Sequence, residues 1–272
     1  MSDVANDERP YVERSEDGGV VRLTLNRGER YNALTRGMIG ALQAEVDALQ
    51  TDPSARVVVI AGHGKGFCGG HDLNEMRTHA GQQVWEAALF TECNALMVSL
   101  TRLPQPVIAR VHGLATATGC QLVAMCDLAV AAETVRFALP GLNIGVFSST
   151  PAVAVARAVG RKRAMEMLLT GEWVDAATAL KWGLVNRVVP PERLDAEVDA
   201  LARSIAARSA PVVANGKRAF YVQVDASLEL AYTVAGEAMV RDLSGPDASE
   251  GIDAFLAKRP PLWPSGAARG ND

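Results

Sequence analysis

Between Gly64 and Leu73 the chain reads GKGFCGGHDL, four glycines around a Phe and a Cys with His-Asp at the end. Glycine reaches positive φ without steric cost and lets a second molecule approach the main chain closely. A strand that ends in glycines and leads into a helix also leaves the unpaired N–H groups of the helix start exposed, and these form an anion site. Three uses are open: a phosphate cradle, donors for an oxygen that turns negative during a reaction, or a flexible surface turn. The phosphate use fits least. The run does not match G-x-x-x-x-G-K-[ST], and no G-x-G-x-x-G is followed by an acidic residue at the required distance. A second stretch, HGLATATGCQL from His112 to Leu122, repeats the order of strand end, small-residue turn and helix start. Two such turns can each give one N–H to the same oxygen, and one donor of this kind contributes about 3 to 4 kcal/mol to a transition state. The second turn shifts the reading toward a paired-donor site, suited to the enolate of a thioester.

The other reactive side chains have plainer expected roles. His71 carries a titratable imidazole beside its own N–H, and the plain expectation is a ring that packs or caps. Asp72 is expected to cap the helix that follows. Ser148, Ser149 and Thr150 precede Pro151, the pattern of a helix start with proline in its first turn. Cys68 and Cys120 are expected to be small buried side chains, and Asp127 to end a helix or start a strand. His63, His79 and His112 show no helical i, i+4 pair and no zinc-ligand partner set, so no metal is assigned.

These residues need strands and helices to place them. VVRLTLN, from Val20 to Asn26, alternates and is rich in β-branched residues, which reads as a strand. Thr35 is placed to cap a helix running to about Leu49, with Met38, Leu42, Val46 and Leu49 on one face. RVVVIAG (56–62), PVIARVHG (106–113) and LAVAAE (128–133) are continuous apolar runs, the mark of strands covered on both faces. The glycine-rich stretch should lead into a helix reaching past residue 80, and the 114–127 segment reads as a turn running into a short apolar helix. Strand, loop and helix thus alternate, giving an α/β fold with helices packed on sheets. From about Leu194 onward only helical periodicity remains, and a late apolar-striped segment needs the main body or another subunit to cover it. The expected division is a disordered stretch over residues 1–10, a core over 11–195 and a helical oligomerisation region over 196–272.

Bulk properties narrow the classes of function. The 272 residues suit one large domain with a helical appendage. A net charge of −4 and the lack of a basic cluster argue against a nucleic-acid partner. The apolar stretches are broken well before the ~18 residues of a membrane span, so no membrane partner is expected. Four cysteines without CxxC pairing, and a polar, acidic N-terminus unlike a signal peptide, point to a reduced cytoplasmic protein.

Along nearly its whole length the chain resembles the enoyl-CoA hydratase/isomerase (crotonase) family. The resemblance rests on LNRGERYNAL (25–34), VVVIAGHGKGFCGGHDLNEM (57–76), PVIARVHGLATATGCQLVAMCDLAVAAE (106–133), FALPGLNIGVFSSTPAVAVARAVG (137–160), EMLLTGEWVDAATALKWGLVNRVV (166–189) and EGIDAFLAKRPPLW (250–263), in the family's order. It implies a spiral of ββα units with a C-terminal helical trimerisation region, and trimers or dimers of trimers. It implies an acyl-CoA substrate, with coenzyme A present only as part of that substrate and no permanently bound cofactor. The thioester oxygen would sit between the N–H groups of His71 and Thr118. Arg30, Tyr31, Ala33, Gly69, Gly70, Asp72, Leu73 and Gly119 fall in segments that resemble the substrate-binding walls. Lys258 matches a lysine that reaches CoA phosphate in some members, and it equally fits a solvated lysine.

The family's hydratases use two glutamates to activate water and deliver the proton. Here the two positions hold Gln121 and Gly141, and neither exchanges a proton near neutral pH. Acid–base groups contribute roughly 10²- to 10⁴-fold each, so hydration should be very weak. Isomerisation, decarboxylation and thioester hydrolysis on the same pocket stay open. So does a non-catalytic acyl-CoA-binding scaffold.

Overall fold

The computed structural model describes residues 8–267. The expected disordered stretch lies, for residues 1–7, outside the described residues. Among the described residues there are ten strands: β1 Val12–Asp17, β2 Val20–Leu25, β3 Val57–Gly62, β4 Gly66–Cys68, β5 Val107–Val111, β6 Leu114–Thr116, β7 Leu128–Ala132, β8 Arg136–Ala138, β9 Val174–Asp175 and β10 Arg187–Val189. The helices are α1 Arg36–Leu49, α2 Leu73–Thr78, α3 Gln83–Arg102, α4 Thr118–Met125, α5 Ser149–Val159, α6 Arg161–Thr170, α7 Ala176–Trp182, α8 Leu194–Ala206, α9 Ala210–Gln223, α10 Leu228–Leu243, α11 Pro246–Leu256 and α12 Pro264–Ala267.

The strands form two sheets, ordered β1-β2-β3-β5-β7-β10 and β4-β6-β8-β9. Within the first, only β1 pairs antiparallel, and β2 through β10 run parallel. In the second, β4, β6 and β8 are parallel. Each of the pairs β3/β4, β5/β6 and β7/β8 therefore gives one strand to each sheet before the chain turns helical. This is the ββα spiral that the resemblance implied. The apolar runs of β3, β5 and β7 are buried almost throughout, as parallel strands covered on both faces must be.

Local signals account for several helix starts. Thr35 Oγ1 accepts from Met38 N at 3.1 Å, and Asp72 accepts from Asn74 N and Glu75 N at 2.8 and 3.0 Å. The helix expected to pass residue 80 is instead two helices. α2 stops at Thr78, and α3 starts at Gln83 after Gly81 at φ +80°. Residues 114–116, expected as part of a turn, form strand β6, because three residues are too few to carry a periodic signal.

Late in the chain, α8 buries Leu194, Val198 and Ala202 and lies across β2, β3, β5 and β7. Beyond it, α9 is tied to the body by a buried ion pair. Lys217 Nζ donates to Asp127 Oδ2 at 2.6 Å and to the carbonyls of Leu100 and Gln105 at 2.9 Å each. Asp127 also accepts from Val107 N and from the Tyr221 hydroxyl, so it does more than end a helix. Phe220, Leu228, Tyr232, Met239 and Phe255 are exposed on α9 to α11. No helix among the described residues is long and apolar enough to cross a membrane.

Candidate functional site

The small sheet sets the geometry. Its register pairs Cys68 with Ala115, and Ala115 with Phe137. The carboxyl ends of β4, β6 and β8 consequently stand side by side, about 4.8 Å apart per strand. The three turns that follow them begin at Gly69, Ala117 and Leu139. Ligands of parallel sheets commonly bind at such strand ends.

The first two turns touch. Gly70 has φ +88°, and a Cβ built on it would lie 3.0 Å from Ala117 Cβ, 3.1 Å from Thr116 O and 3.3 Å from Thr118 N. Thr116 Oγ1 donates to Gly69 O at 2.9 Å and ties the turns together. Gly119 permits a still closer approach, since a Cβ there would fall 2.1 Å from Cys68 O. Between them Ala117 holds φ 49°, ψ −120°, a conformation that costs a non-glycine residue about 1–3 kcal/mol and that gathers at functional sites. Thr118 N, which follows it, is the first amide of α4. Among the described residues neither the His71 nor the Thr118 main-chain N–H has a hydrogen-bond acceptor in the protein. The positive end of the α4 dipole adds to the field there.

Both residues line one cavity of about 620 Å³, together with Gly69, Leu73, Gly141, Ser148, Ser149 and Thr150 among the positions singled out in the sequence. Met76, Phe90, Ile144, Val146 and Phe147 complete an apolar wall that sequence reasoning did not assign. Ile144, Val146 and Phe147 lie in the irregular segment between β8 and α5, which carries no periodic signal, whereas Met76 and Phe90 stand on α2 and α3. Of the described side chains lining the cavity, His71 is the sole one with an ionisable acid or base. Its ring Nδ1 donates to Leu34 O at 3.3 Å, while Leu34 N donates to Gly70 O at 2.7 Å. The ring packs edge-on against Phe90 at 5.5 Å. Nε2 is buried without a partner, and burial pushes the imidazole's proton affinity below its ordinary value. The side chain is therefore a neutral imidazole that fixes its own turn to the segment before α1.

The remaining positions lie off the cavity. Gln121 is buried behind the second turn, with Oε1 unpartnered. Gly70 and Gly119 form the backing of the two turns. Asp72 caps α2. Arg30 and Tyr31 are exposed, and Tyr31 contributes its carbonyl, which accepts from Gly69 N at 2.8 Å. Ala33 is half-buried in the same loop. Lys258 is exposed after α11 at φ 53°. Cys68 and Cys120 are pushed up to about 12 by burial, so neither supplies a thiolate near neutral pH. His63 faces Glu13 at 2.8 Å on the surface, His79 stacks on Trp85 and His112 Nε2 donates to Gly64 O at 2.9 Å. No cluster of metal-ligating side chains occurs among the described residues.

Asn32 was not singled out in the sequence. It is fully buried, accepts from Arg27 N at 2.9 Å and donates through Nδ2 to the carbonyls of His63, Gly66 and Phe67. It clamps the loop before α1 onto the glycine-rich turn. Its signal was the Tyr-Asn pair, both at positive φ, a conformation Asn tolerates better than most residues.

A fold of ββα units with two unpaired amides at the ends of neighbouring short strands defines a class, and comparison with known proteins agrees. The enoyl-CoA hydratase/isomerase family matches residues 15–266, and the chain belongs to that family. It is 45% identical over 260 residues to the human enoyl-CoA hydratase domain-containing protein 3, mitochondrial, covering 95% of this chain and 84% of that protein. The Xenopus laevis protein of the same name is 45% identical over 254 residues, 93% of this chain and 86% of the relative. Among solved structures, an enoyl-CoA hydratase from Mycobacterium smegmatis superposes with a TM-score of 0.92 at 51% identity, covering 94% of this chain and 99% of that one. The crystal structure of the human domain-containing protein 3 superposes with a TM-score of 0.90 at 44% identity, covering 94% and 100%. These relatives also correct one expectation. The acidic N-terminus and unpaired cysteines were read as cytoplasmic, whereas the frog, mouse and human relatives are named mitochondrial. Unpaired, buried cysteines are compatible with either compartment, so they do not separate the two.

Proposed function

We propose that the protein binds an acyl-CoA thioester with its carbonyl oxygen between the N–H groups of His71 and Thr118, and stabilises the oxyanion formed there. The observation carrying this reading is that these two amides, from separate turns, are both unpaired and belong to residues that line one largely apolar cavity. An unpaired donor facing an empty, low-dielectric space is held ready for charge and needs no rearrangement during reaction. The apolar wall from Met76, Phe90 and Phe147 suits an acyl chain. Trimers or dimers of trimers formed through the exposed apolar faces of α9 to α11 belong to the same proposal, with Lys258 placed to meet CoA phosphate.

Hydration fits this cavity poorly. Gln121 and Gly141 hold the two glutamate positions, and among the described residues no carboxylate lines the space. Decarboxylation, which breaks a carbon–carbon bond against the oxyanion donors without taking a proton from carbon, is the better match, whereas isomerisation moves a proton between carbons and needs a base as hydration does. The test uses butyryl-CoA labelled with ¹³C at the thioester carbonyl. Binding should move its carbonyl stretch to lower frequency, as two new N–H donors require. Tight binding with an unshifted carbonyl refutes the donor assignment. Crotonyl-CoA hydration should run at least ~10²-fold below a two-glutamate relative, and a comparable rate overturns the reading of Gln121 and Gly141.

A further inference from the structure

Thr118 opens α4, and the N-cap position before it is Ala117, whose methyl group cannot cap a helix. Thr118 is 2% exposed and lines the cavity. Its hydroxyl makes no hydrogen bond among the described residues, yet it is not sealed off from open space. The open space beside Thr118 is the cavity. Covalent geometry fixes where this hydroxyl stands relative to the amide of the same residue. In two of the three staggered rotamers, Oγ1 of a threonine lies about 3 Å from its own N. A threonine at the start of a helix can therefore present an N–H and an O–H toward one bound oxygen. A glycine at the same place would supply the amide alone.

We propose that Thr118 is a catalytic residue through its side chain as well as its amide, with the hydroxyl donating a third hydrogen bond to the oxyanion. The inference rests on the thioester reading of the same cavity. A carbonyl oxygen in the ground state has two lone pairs, and the amides of His71 and Thr118 occupy both. An enolate or alkoxide oxygen carries a third, so the hydroxyl finds its acceptor only as negative charge develops. An interaction made in that state alone lowers the barrier without tightening the ground state. It is also the stronger kind, because an ionised acceptor roughly doubles the strength of a hydrogen bond.

The test uses acetoacetyl-CoA, which loses its C2 proton to solvent and gives an enolate with its own near-ultraviolet absorbance. At fixed pH and saturating protein, the ratio of enolate to keto form in the bound ligand measures how strongly the site prefers a charged oxygen. The full chain should raise that ratio above its value in free solution. Thr118→Val removes the hydroxyl but keeps the amide and the branched shape; it should lower the bound ratio about 10- to 100-fold and change butyryl-CoA affinity less than about threefold. Thr118→Ser, which keeps the hydroxyl, should hold the ratio to within about threefold. A wild-type ratio in Thr118→Val, or the same loss in Thr118→Ser as in Thr118→Val, overturns the role of the hydroxyl and leaves the amide pair standing. An equal loss of acetoacetyl-CoA and butyryl-CoA affinity in Thr118→Val, with the ratio unchanged, does the same. A full chain that leaves the ratio at its free-solution value overturns the oxyanion reading itself.

Discussion

Gly70→Ala tests whether the two amides act together. A Cβ at this position meets Ala117 Cβ at 3.0 Å, Thr116 O at 3.1 Å and Thr118 N at 3.3 Å. Comfortable carbon contacts lie at about 3.5–4.0 Å, so the second turn must retreat by about 0.5 Å. Its retreat is resisted, because Thr116 is tied to Gly69 O and Gly119 is pressed against Cys68 O. The positive φ of +88° adds its own penalty, about 1–2 kcal/mol for a side chain in that region. For a chain of this length that corresponds to a fall of about 2–8 °C in Tm. The functional loss should be larger than the stability loss implies. Widening the gap between the amides removes part of a donor worth about 3–4 kcal/mol in the transition state. Turnover of any acyl-CoA substrate should then drop ~10- to 100-fold, with the affinity for butyryl-CoA falling only a fewfold. In ¹³C-labelled butyryl-CoA the carbonyl shift should shrink toward the free value. A folded Gly70→Ala protein with the full carbonyl shift and unchanged turnover refutes the claim that the two turns grip one oxygen.

Three further outcomes follow from the same structure. Gly141→Glu should not create a hydratase, since its Cβ would lie 2.3 Å from Val146 O; the 146–148 segment must move at a cost of about 1–3 kcal/mol, and a gain in crotonyl-CoA hydration without loss of Tm contradicts this. Lys217→Met should cost about 3–5 kcal/mol in denaturant unfolding, because Asp127 is left charged and half-buried without its cation; a change below about 1 kcal/mol shows the pair to be dispensable. Burial holds the His71 imidazole below its ordinary proton affinity, so the unfolded chain takes up that proton more readily. Stability attached to His71 is complete above about pH 6.5 and is lost as pH falls below that value. His71→Asn should flatten part of the decline in Tm between pH 7 and 5, with His112, also lowered by burial, supplying part of the rest. An identical pH profile in the variant refutes the assignment.

Much of this protein could be read one residue type at a time. The strands around Val59, Ile108 and Val130 announced themselves because a parallel strand buried on both faces must be apolar along its length. Thr35 and Asp72 were legible as caps because a cap needs only its own side chain and amides two or three residues away. The paired glycine and small-residue turns, and the absence of glutamate at positions 121 and 141, were equally plain. Tertiary structure decided the rest, because each remaining fact joins residues that no local pattern connects. Register in the small sheet placed the turns after Cys68, Thr116 and Ala138 side by side. Packing put Gln121 behind the cavity wall rather than in it, and set Ser148 in the space next to Gly141. Lys217 found Asp127 ninety positions away. Side-chain type and short-range hydrogen bonding are written along the chain, whereas which groups end up facing one empty volume depends on how distant segments pack, and that is settled only when the whole chain is folded.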